Sequence, residues 1–555
     1  MRELRWKGAH APEDGDWIVA EVPWEGAAHL VEVLGADDRP EWDDAAVASQ
    51  YRLRVSFPRR AAEEAAALRE PDARELDARE DRRGDVVVTI DPADARDHDD
   101  ALSVRALEGG RHEVGIHIAD VSWYVRPGSG LDAEARARGT SCYLPGGAVP
   151  MLPERLSGDL CSLREGVDRL ALSVFAVLDE RGRLHEYRFA ASVVRSRARL
   201  TYEEVQRSLD GEARLAGELE APAATLMKLA RALRASRVAA GALELESAEV
   251  KVVVDERGAP LELVRRPHLE SHELVEEFML LANRCVGETA ARRRSGVLWR
   301  VHEPPVARKL AELDETLRAL RLPRLGTAED PHRALQALLA VPLDPPKRRL
   351  VHRLALRSLT RARYLERDLG HFGLATREYL HFTSPIRRYP DLHNHRRVRE
   401  WIARTRDAAW DPVESASLAL ECSAREQDAT DAEREGTRVK GLRMLEARLG
   451  ESASGTITGL VPRGCFVELD DPPVDGFVAV GDQLDERFEL DAAGVRLVGR
   501  RTRRRFTLGD PVRVTIARVD VPARECDLVL EQDGPRRGNP SRKGARRSPG
   551  RQGWR

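Results

Sequence analysis

The chain opens with short runs in which apolar and polar residues alternate. Asp16-Trp-Ile-Val-Ala-Glu-Val and His29-Leu-Val-Glu-Val-Leu, with Gly and Pro between them, predict small β-strands. Residues 59–83, RRAAEEAAALREPDARELDAREDRR, favour helix but offer almost no apolar face, so a solvated linker helix is expected. The β-branched run Val86-Val-Val-Thr-Ile90 predicts a buried strand, and further strands are expected at 113–121 and 170–178. From about 201 the period turns helical, as in TYEEVQRSL and ESHELVEEFMLLANRCVGETAARR, and it stays so to about 447. Residues 451–531 return to strands separated by turn signals. Five strands in that length predict a small closed barrel of the OB type.

Composition narrows the class. A chain of 555 residues suggests about three to five domains. With 42% hydrophobic and 33% charged residues it has a soluble globular balance. No run approaches the roughly 20 apolar residues of a membrane span, and the first residues are charged, so neither a membrane protein nor a secretory leader is expected. Six cysteines lie far apart with no CxxC pair. That disfavours a disulfide scaffold or a zinc site of the usual spacing and points to a reducing cytoplasm. The net charge of −3 hides an asymmetry: residues 535–555 carry eight Lys/Arg and no acid, leaving −11 elsewhere. Such a tail is either an arm for a polyanion or a solubilising end.

Candidate chemistry concentrates in four stretches. The first is Asp91-Pro-Ala-Asp94-Ala-Arg-Asp97-His98-Asp99-Asp100, five acids in ten residues at the end of a buried strand. Mutual repulsion disfavours such a cluster unless a cation compensates, and hard oxygen ligands suit Mg²⁺ or Mn²⁺. A surface acidic loop does not explain the strand end, and the EF-hand spacing is missing. Two ions about 3.5–4 Å apart would fit hydrolysis of a phosphate ester. The second is HFTSPIRRYPDLHNHR (381–396), where Ser384-Pro385 predicts a helix start with Arg387 and Arg388 near its N-terminus, suited to phosphate. A charged helix pairing with Asp391 and Glu400 is the plainer alternative. In the third, ELVEEFMLLAN (273–283), Glu276 and Asn283 share a helical face that would look into a polar cavity. In the fourth, TSCYLPGGAVPMLPERLS (140–157), Tyr143 either stacks on a base or belongs to the loop core.

Taken together, these stretches resemble the ribonuclease II / ribonuclease R family of exoribonucleases. The likeness rests on the Asp91–Asp100 signature, HIADVSWYV (117–125), TSCYLPGGAVPMLPERLSGDLCSL (140–163), ELVEEFMLLAN and HFTSPIRRYPDLHNHR, which fall in the family's order and spacing. It covers about 85–447. The C-terminal barrel resembles an S1 RNA-binding domain and residues 1–57 a single shortened cold-shock-type barrel.

The resemblance implies a multidomain chain. Its parts would be a shortened cold-shock/OB-like domain (1–57), a linker helix (58–84), a mixed α+β RNB catalytic domain (85–447), an S1 domain (448–532) and a basic disordered tail (533–555). It implies processive 3′-to-5′ hydrolysis of single-stranded RNA to nucleoside 5′-monophosphates with two Mg²⁺ ions, Mn²⁺ being a possible substitute. Asp91, Asp97, Asp99 and Asp100 would serve the metals, with Asp99, Asp100 and Arg387 in the chemistry. Tyr143, Tyr202, Glu276, Asn283, Arg388 and Phe466 would touch RNA, Tyr202 and Glu276 reading the ribose. A cytoplasmic monomer acting on RNA 3′ ends, without an obligate protein partner or a membrane, is expected. Three positions depart from the family pattern: Leu245 where some members carry a clamping aromatic, Ala479 where the S1 fold usually has His, and His98 in place of an apolar residue. The His98 ring is expected to point away from the acids. An RNA-binding protein with an inert centre, and a metal-dependent nuclease acting on DNA, are the competing classes.

Overall fold

The computed structural model describes residues 4–5, 12–21, 28–245, 249–326, 330–405 and 411–531. The predicted basic tail, 533–555, lies outside the described residues.

The β-branched run becomes β1 (Val87–Asp91), and its neighbours are β2 (Asp100–Leu107), β3 (Arg111–Ala119), β4 (Asp168–Asp179) and β5 (Leu184–Thr201). They line up as β4-β3-β2-β1-β5, and an added β4–β5 pairing closes the sheet on itself. β1 and β5 run parallel, which sets Asp91 beside Thr201; the other pairs are antiparallel. One pleat is wholly apolar (Val88, Ile90, Leu102, Ile116, Val174). It is covered by α2 (Glu220–Ala239) and α3 (Glu270–Arg293), after the short α1 (Tyr202–Leu209). Sheets covered on both faces carry continuous rather than alternating apolar runs, which is why LALSVFAVL looked so uniform. The opposite pleat holds one polar chain. His117 bonds Ser103 Oγ at 2.9 Å and Ser173 Oγ at 2.8 Å, and Ser173 bonds Ser192 at 2.5 Å. Gly115 is required there, because a Cβ would stand 2.5 Å from Ser103 Oγ.

The segment foreseen as a solvated linker docks instead. Helices Arg59–Ala67 and Ala73–Asp77 part around Pro71, and Ala61 and Ala65 are buried against Leu131 and neighbouring core residues. Glu64 takes the backbone N–H groups of Gly130 and Leu131, both at 2.9 Å. Small alanines suffice where a helix lies close, so the lack of bulky apolar residues misled. Among the described residues, the N-terminal unit is a three-stranded sheet (Leu4–Arg5, Asp16–Glu21, Ala28–Ala36) followed by a helix at Asp43–Gln50. That helix is anchored to the long α5 (Pro412–Glu446), which follows α4 (Tyr389–Ile402): Asp43 is fully buried between Lys440 (3.0 Å) and Arg443 (2.8 Å).

The C-terminal barrel consists of β6 (Ser452–Val461), β7 (Gly464–Leu469), β8 (Asp475–Val478), β9 (Pro511–Asp520) and β10 (Glu525–Leu530). It closes in the order β6-β7-β8-β10-β9. The run VRLVGRRTRRRFTLGD, within the 451–531 span read as five barrel strands, forms a separate three-stranded sheet with Phe488–Leu490. Glu468 on β7 ties the barrel to the catalytic unit through Arg265 (2.6 Å) and Arg353 (2.5 Å).

Candidate active site

The site is built where β1 ends and β2 begins. Asp91 is the last residue of β1 and Asp100 the first of β2, so the connection between them holds Asp97 and Asp99 close by. Asp99 is 4% exposed; its Oδ1 accepts the Ile386 backbone N–H at 2.9 Å. Its Oδ2 is buried without a hydrogen-bond partner, with Arg387 Nε 3.6 Å away. Desolvation, only partly opposed by Arg387, pushes the Asp99 carboxyl well above its ordinary range. Desolvation and the neighbouring Asp91 push Asp100 up to about 7. Asp94 stands apart, held by Lys251.

Aromatic side chains arrive from two sides. Tyr143 projects from the hairpin Cys142–Leu144 / Gly147–Val149, is 43% exposed, and donates its hydroxyl proton to Asp97 Oδ2 at 2.9 Å. Tyr202 follows the residue that pairs with Asp91, and a Thr201/Glu204 capping box fixes its helix start. Desolvation raises the Tyr202 hydroxyl pKa, and Asp100, Asp91 and Glu276 add to it, which places the tyrosine within electrostatic reach of all three. Its ring stacks on His272 at 4.0 Å and His272 on His268 at 5.4 Å, with Glu276 Oε2 3.9 Å from His268 Nε2.

Residues 381–388 are held at almost every step. Phe382 N–H donates to Asn283 Oδ1 at 2.8 Å, His395 Nε2 meets Phe382 O at 2.7 Å, and Asn394 donates to His381 O at 2.9 Å. Ser384 N–H donates to Asp391 Oδ1 at 2.8 Å. On the other flank, Ser141 N–H and Thr140 Oγ1 both donate to Arg387 O. The guanidinium of Arg387 is left half exposed beside Asp99.

Four expectations change. Helix α4 starts at Tyr389, with Pro390 in its first turn, rather than at Ser384-Pro385; residues 385–387 form a turn and Arg388 bridges to Thr140. Arg388 spends two of its three guanidinium nitrogens on buried Asp391, Nη2 at 2.8 Å and Nε at 2.9 Å, instead of presenting the whole group to a ligand. Asn283 is 3% exposed, and its amide joins Tyr379 OH to Phe382 N–H, so it positions residues 379–382 instead of facing substrate. His98 also departs from its expected place. It is buried, and its Nδ1 lies 2.9 Å from Asp91 Oδ2. The 97–99 stretch is irregular, so strand alternation does not govern it. Arg388 thus takes the plainer alternative, pairing with Asp391, whereas Asn394 and His395 were overlooked because they stand among charged residues at a helix start. The signal was their spacing in PDLHNHR, which puts three polar groups on the buried side of that helix.

Among the described residues no three His, Cys, Asp or Glu side chains converge on one point. His98 and Tyr143 instead hydrogen-bond Asp91 and Asp97. The donor set still suits a hard divalent cation: four carboxylates within ten residues, one buried oxygen unpartnered, two acids pushed up. Far from this cluster, Phe466 is 42% exposed on β7 with its ring 5.2 Å from Phe477. Leu245 is partly buried against Leu313 and Leu335.

A carboxylate cluster faced by an arginine, beside an OB-type barrel, suits a nuclease. Residues 79–404 match the RNB domain and residues 446–530 the S1 RNA binding domain. The chain belongs to the ribonuclease II / ribonuclease R family and is an exoribonuclease. It is 38% identical over 519 residues to ribonuclease R of Thermotoga maritima, covering 91% of this chain and 73% of the relative. With ribonuclease R of Escherichia coli it shares 33% over 524 residues, covering 91% and 64%. Ribonuclease R of Mycoplasma genitalium in its apo form superposes with a TM-score of 0.89 at 26% identity, covering 96% of this chain and 85% of that one. The same protein with ribose-methylated single-stranded RNA gives 0.88 at 25%, with the same coverage. Yeast Ssd1, described as a pseudonuclease, shares the fold at 0.70 and 20% identity, covering 86% of this chain and 60% of that one. Fold alone therefore does not guarantee activity, and the argument rests on the site.

Proposed function

We propose that the chain degrades single-stranded RNA processively from its 3′ end, releasing nucleoside 5′-monophosphates, by two-metal hydrolysis with Mg²⁺. The observation that carries this reading is the unpartnered Asp99 Oδ2 buried 3.6 Å from Arg387. Asp91, Asp97, Asp99 and Asp100 would hold the ions, which when bound lower the pKa of water and neutralise charge on the phosphate. Arg387, preorganised by the contacts on 381–388, binds the oxygens of the scissile phosphate as charge builds on them. Tyr143, once its hydroxyl leaves Asp97, stacks on the terminal base. Tyr202 and Glu276 meet the ribose and favour RNA over DNA. Phe466 on the S1 barrel and the basic tail collect the strand through stacking and phosphate contacts. Arg388 and Asn283 act as positioning residues. Six unpaired, buried cysteines support a reducing, cytoplasmic setting.

The test is a time course on 5′-labelled single-stranded RNA with Mg²⁺, run beside Asp99→Asn, EDTA and matched-DNA lanes. Full-length RNA passing straight to one short end product, in the wild-type RNA lane alone, is expected. A ladder of intermediates overturns processivity. Cleavage in EDTA overturns the metal reading, and equal cleavage of DNA overturns the ribose reading.

A further inference from the structure

We propose that His98 is a positioning residue for Asp91, holding one carboxylate oxygen so that the other faces a divalent ion. The proposal rests on Asp91 being an ion ligand. The His98 backbone is pinned on both sides: its N–H donates to Ser162 Oγ at 3.1 Å, and its carbonyl accepts the Leu163 N–H at 3.0 Å. Ser162 is fully buried and donates in turn to Arg96 O at 2.8 Å. The main chain is therefore fixed, and the buried ring meets Asp91 Oδ2 through Nδ1 at 2.9 Å. A carboxylate only accepts, so His98 Nδ1 carries a proton. Asp91 sits at a strand end among other acids, where repulsion alone would leave its rotamer loose. A buried donor removes that freedom, as hydrogen-bond partners of ion-ligating carboxylates do elsewhere. Asp91 takes up Nδ1 and not Nε2, so a nitrogen bonded to an ion here would be Nε2.

The test uses the full chain without RNA. Mn²⁺ binding is followed by the EPR signal of free ion for wild type, His98→Leu, His98→Asn and Asp91→Asn. His98→Leu is expected to weaken the tightest Mn²⁺ site about 10-fold or more. His98→Asn, whose amide nitrogen takes the place of Nδ1, is expected to keep most of the affinity. Electron spin-echo modulation of Mn²⁺-loaded wild type is expected to show no directly bonded nitrogen. Unchanged affinity in His98→Leu, or a bonded nitrogen in wild type, overturns the positioning role. Unchanged affinity in Asp91→Asn overturns instead the reading of Asp91 as a ligand, and the proposal with it. If His98→Leu does not fold, weakened binding in His98→Asn to the level of Asp91→Asn overturns the proposal, and retained binding supports it.

Discussion

Two closed β-structures in one chain treat their polar groups in opposite ways. The sheet β1–β5 buries acids at its rim and a histidine–serine chain within one pleat, and helices cover its apolar pleat. The barrel β6–β10 has an apolar interior of Ile457, Val467, Val478, Val514, Ile516 and Leu528, and turns Phe466 outward. The first arrangement suits chemistry, because charges removed from water interact strongly and lower a barrier only when held rigid. The second suits binding, because an exposed ring stacks on any base and releases it again. Within the first region a further contrast applies. Asp120 is as buried as Asp99, yet Arg79 (2.6 Å), Arg399 (2.8 Å) and the Ser122 hydroxyl (2.7 Å) satisfy it. These partners outweigh desolvation and hold its carboxyl at about 2, while that of Asp99 is pushed up. A compensated buried acid is structural, whereas an uncompensated one suits a functional site.

The sharpest way to break this contrast is to exchange the two aspartates' fates by mutation. Asp99→Asn is expected to cost roughly 10³-fold or more in turnover on single-stranded RNA, with little loss of stability. Single-turnover kinetics beside thermal melting decide it, and a large drop in melting temperature would make Asp99 structural. Asp120→Ala is expected to do the reverse by stranding Arg79 and Arg399, at a cost of about 3–5 kcal/mol in urea unfolding.

The pH sign follows from the depressed Asp120 carboxyl. Its contribution is present above the ordinary carboxyl range near 3.9, and is lost as pH falls from there toward about 2. Urea midpoints at pH 5 and pH 3 should fall more steeply for wild type than for Asp120→Asn.

Arg387→Ala is expected to reduce the single-turnover rate about 10²-fold, since it removes one preorganised charge facing the phosphate. RNA affinity at the barrel should be unchanged, and a loss confined to affinity would move Arg387 out of the chemistry. The smallest effect belongs to the second region. Phe466→Ala is expected to weaken RNA binding by about 1 kcal/mol in a fluorescence titration, with the single-turnover rate at saturating RNA unchanged. A changed rate would join the two regions that the comparison separates.

The outline of both regions was legible along the chain, for different reasons. β1 announced itself through Val87, Val88 and Ile90, and α3 through its apolar period, because backbone state follows local pattern when one face must be buried. The cluster Asp91–Asp100 was legible because its composition is costly without a purpose. Where local pattern is weak, expectation failed. Ala61 and Ala65 carry too little apolar surface to signal docking. The VRLVGRRTRRRFTLGD run has strand propensity that says nothing of which sheet it joins. Arg388 and Arg387 are adjacent, and nothing local says which one faces Asp391 and which Asp99.

The sequence by itself determined the order of strands and helices, the cluster of acids, and the set of side chains able to handle a phosphate. Tertiary structure alone decided how those side chains divide their work: Arg387 toward the acids and Arg388 locked away, Asn283 and Asp391 as scaffold, His98 turned onto Asp91. The physical reason is that composition and period are local properties. A polar group's role instead depends on which donor or acceptor meets it after burial, and those partners come from distant segments, 287 positions apart for Asp99 and Ile386 and 400 for Asp43 and Arg443.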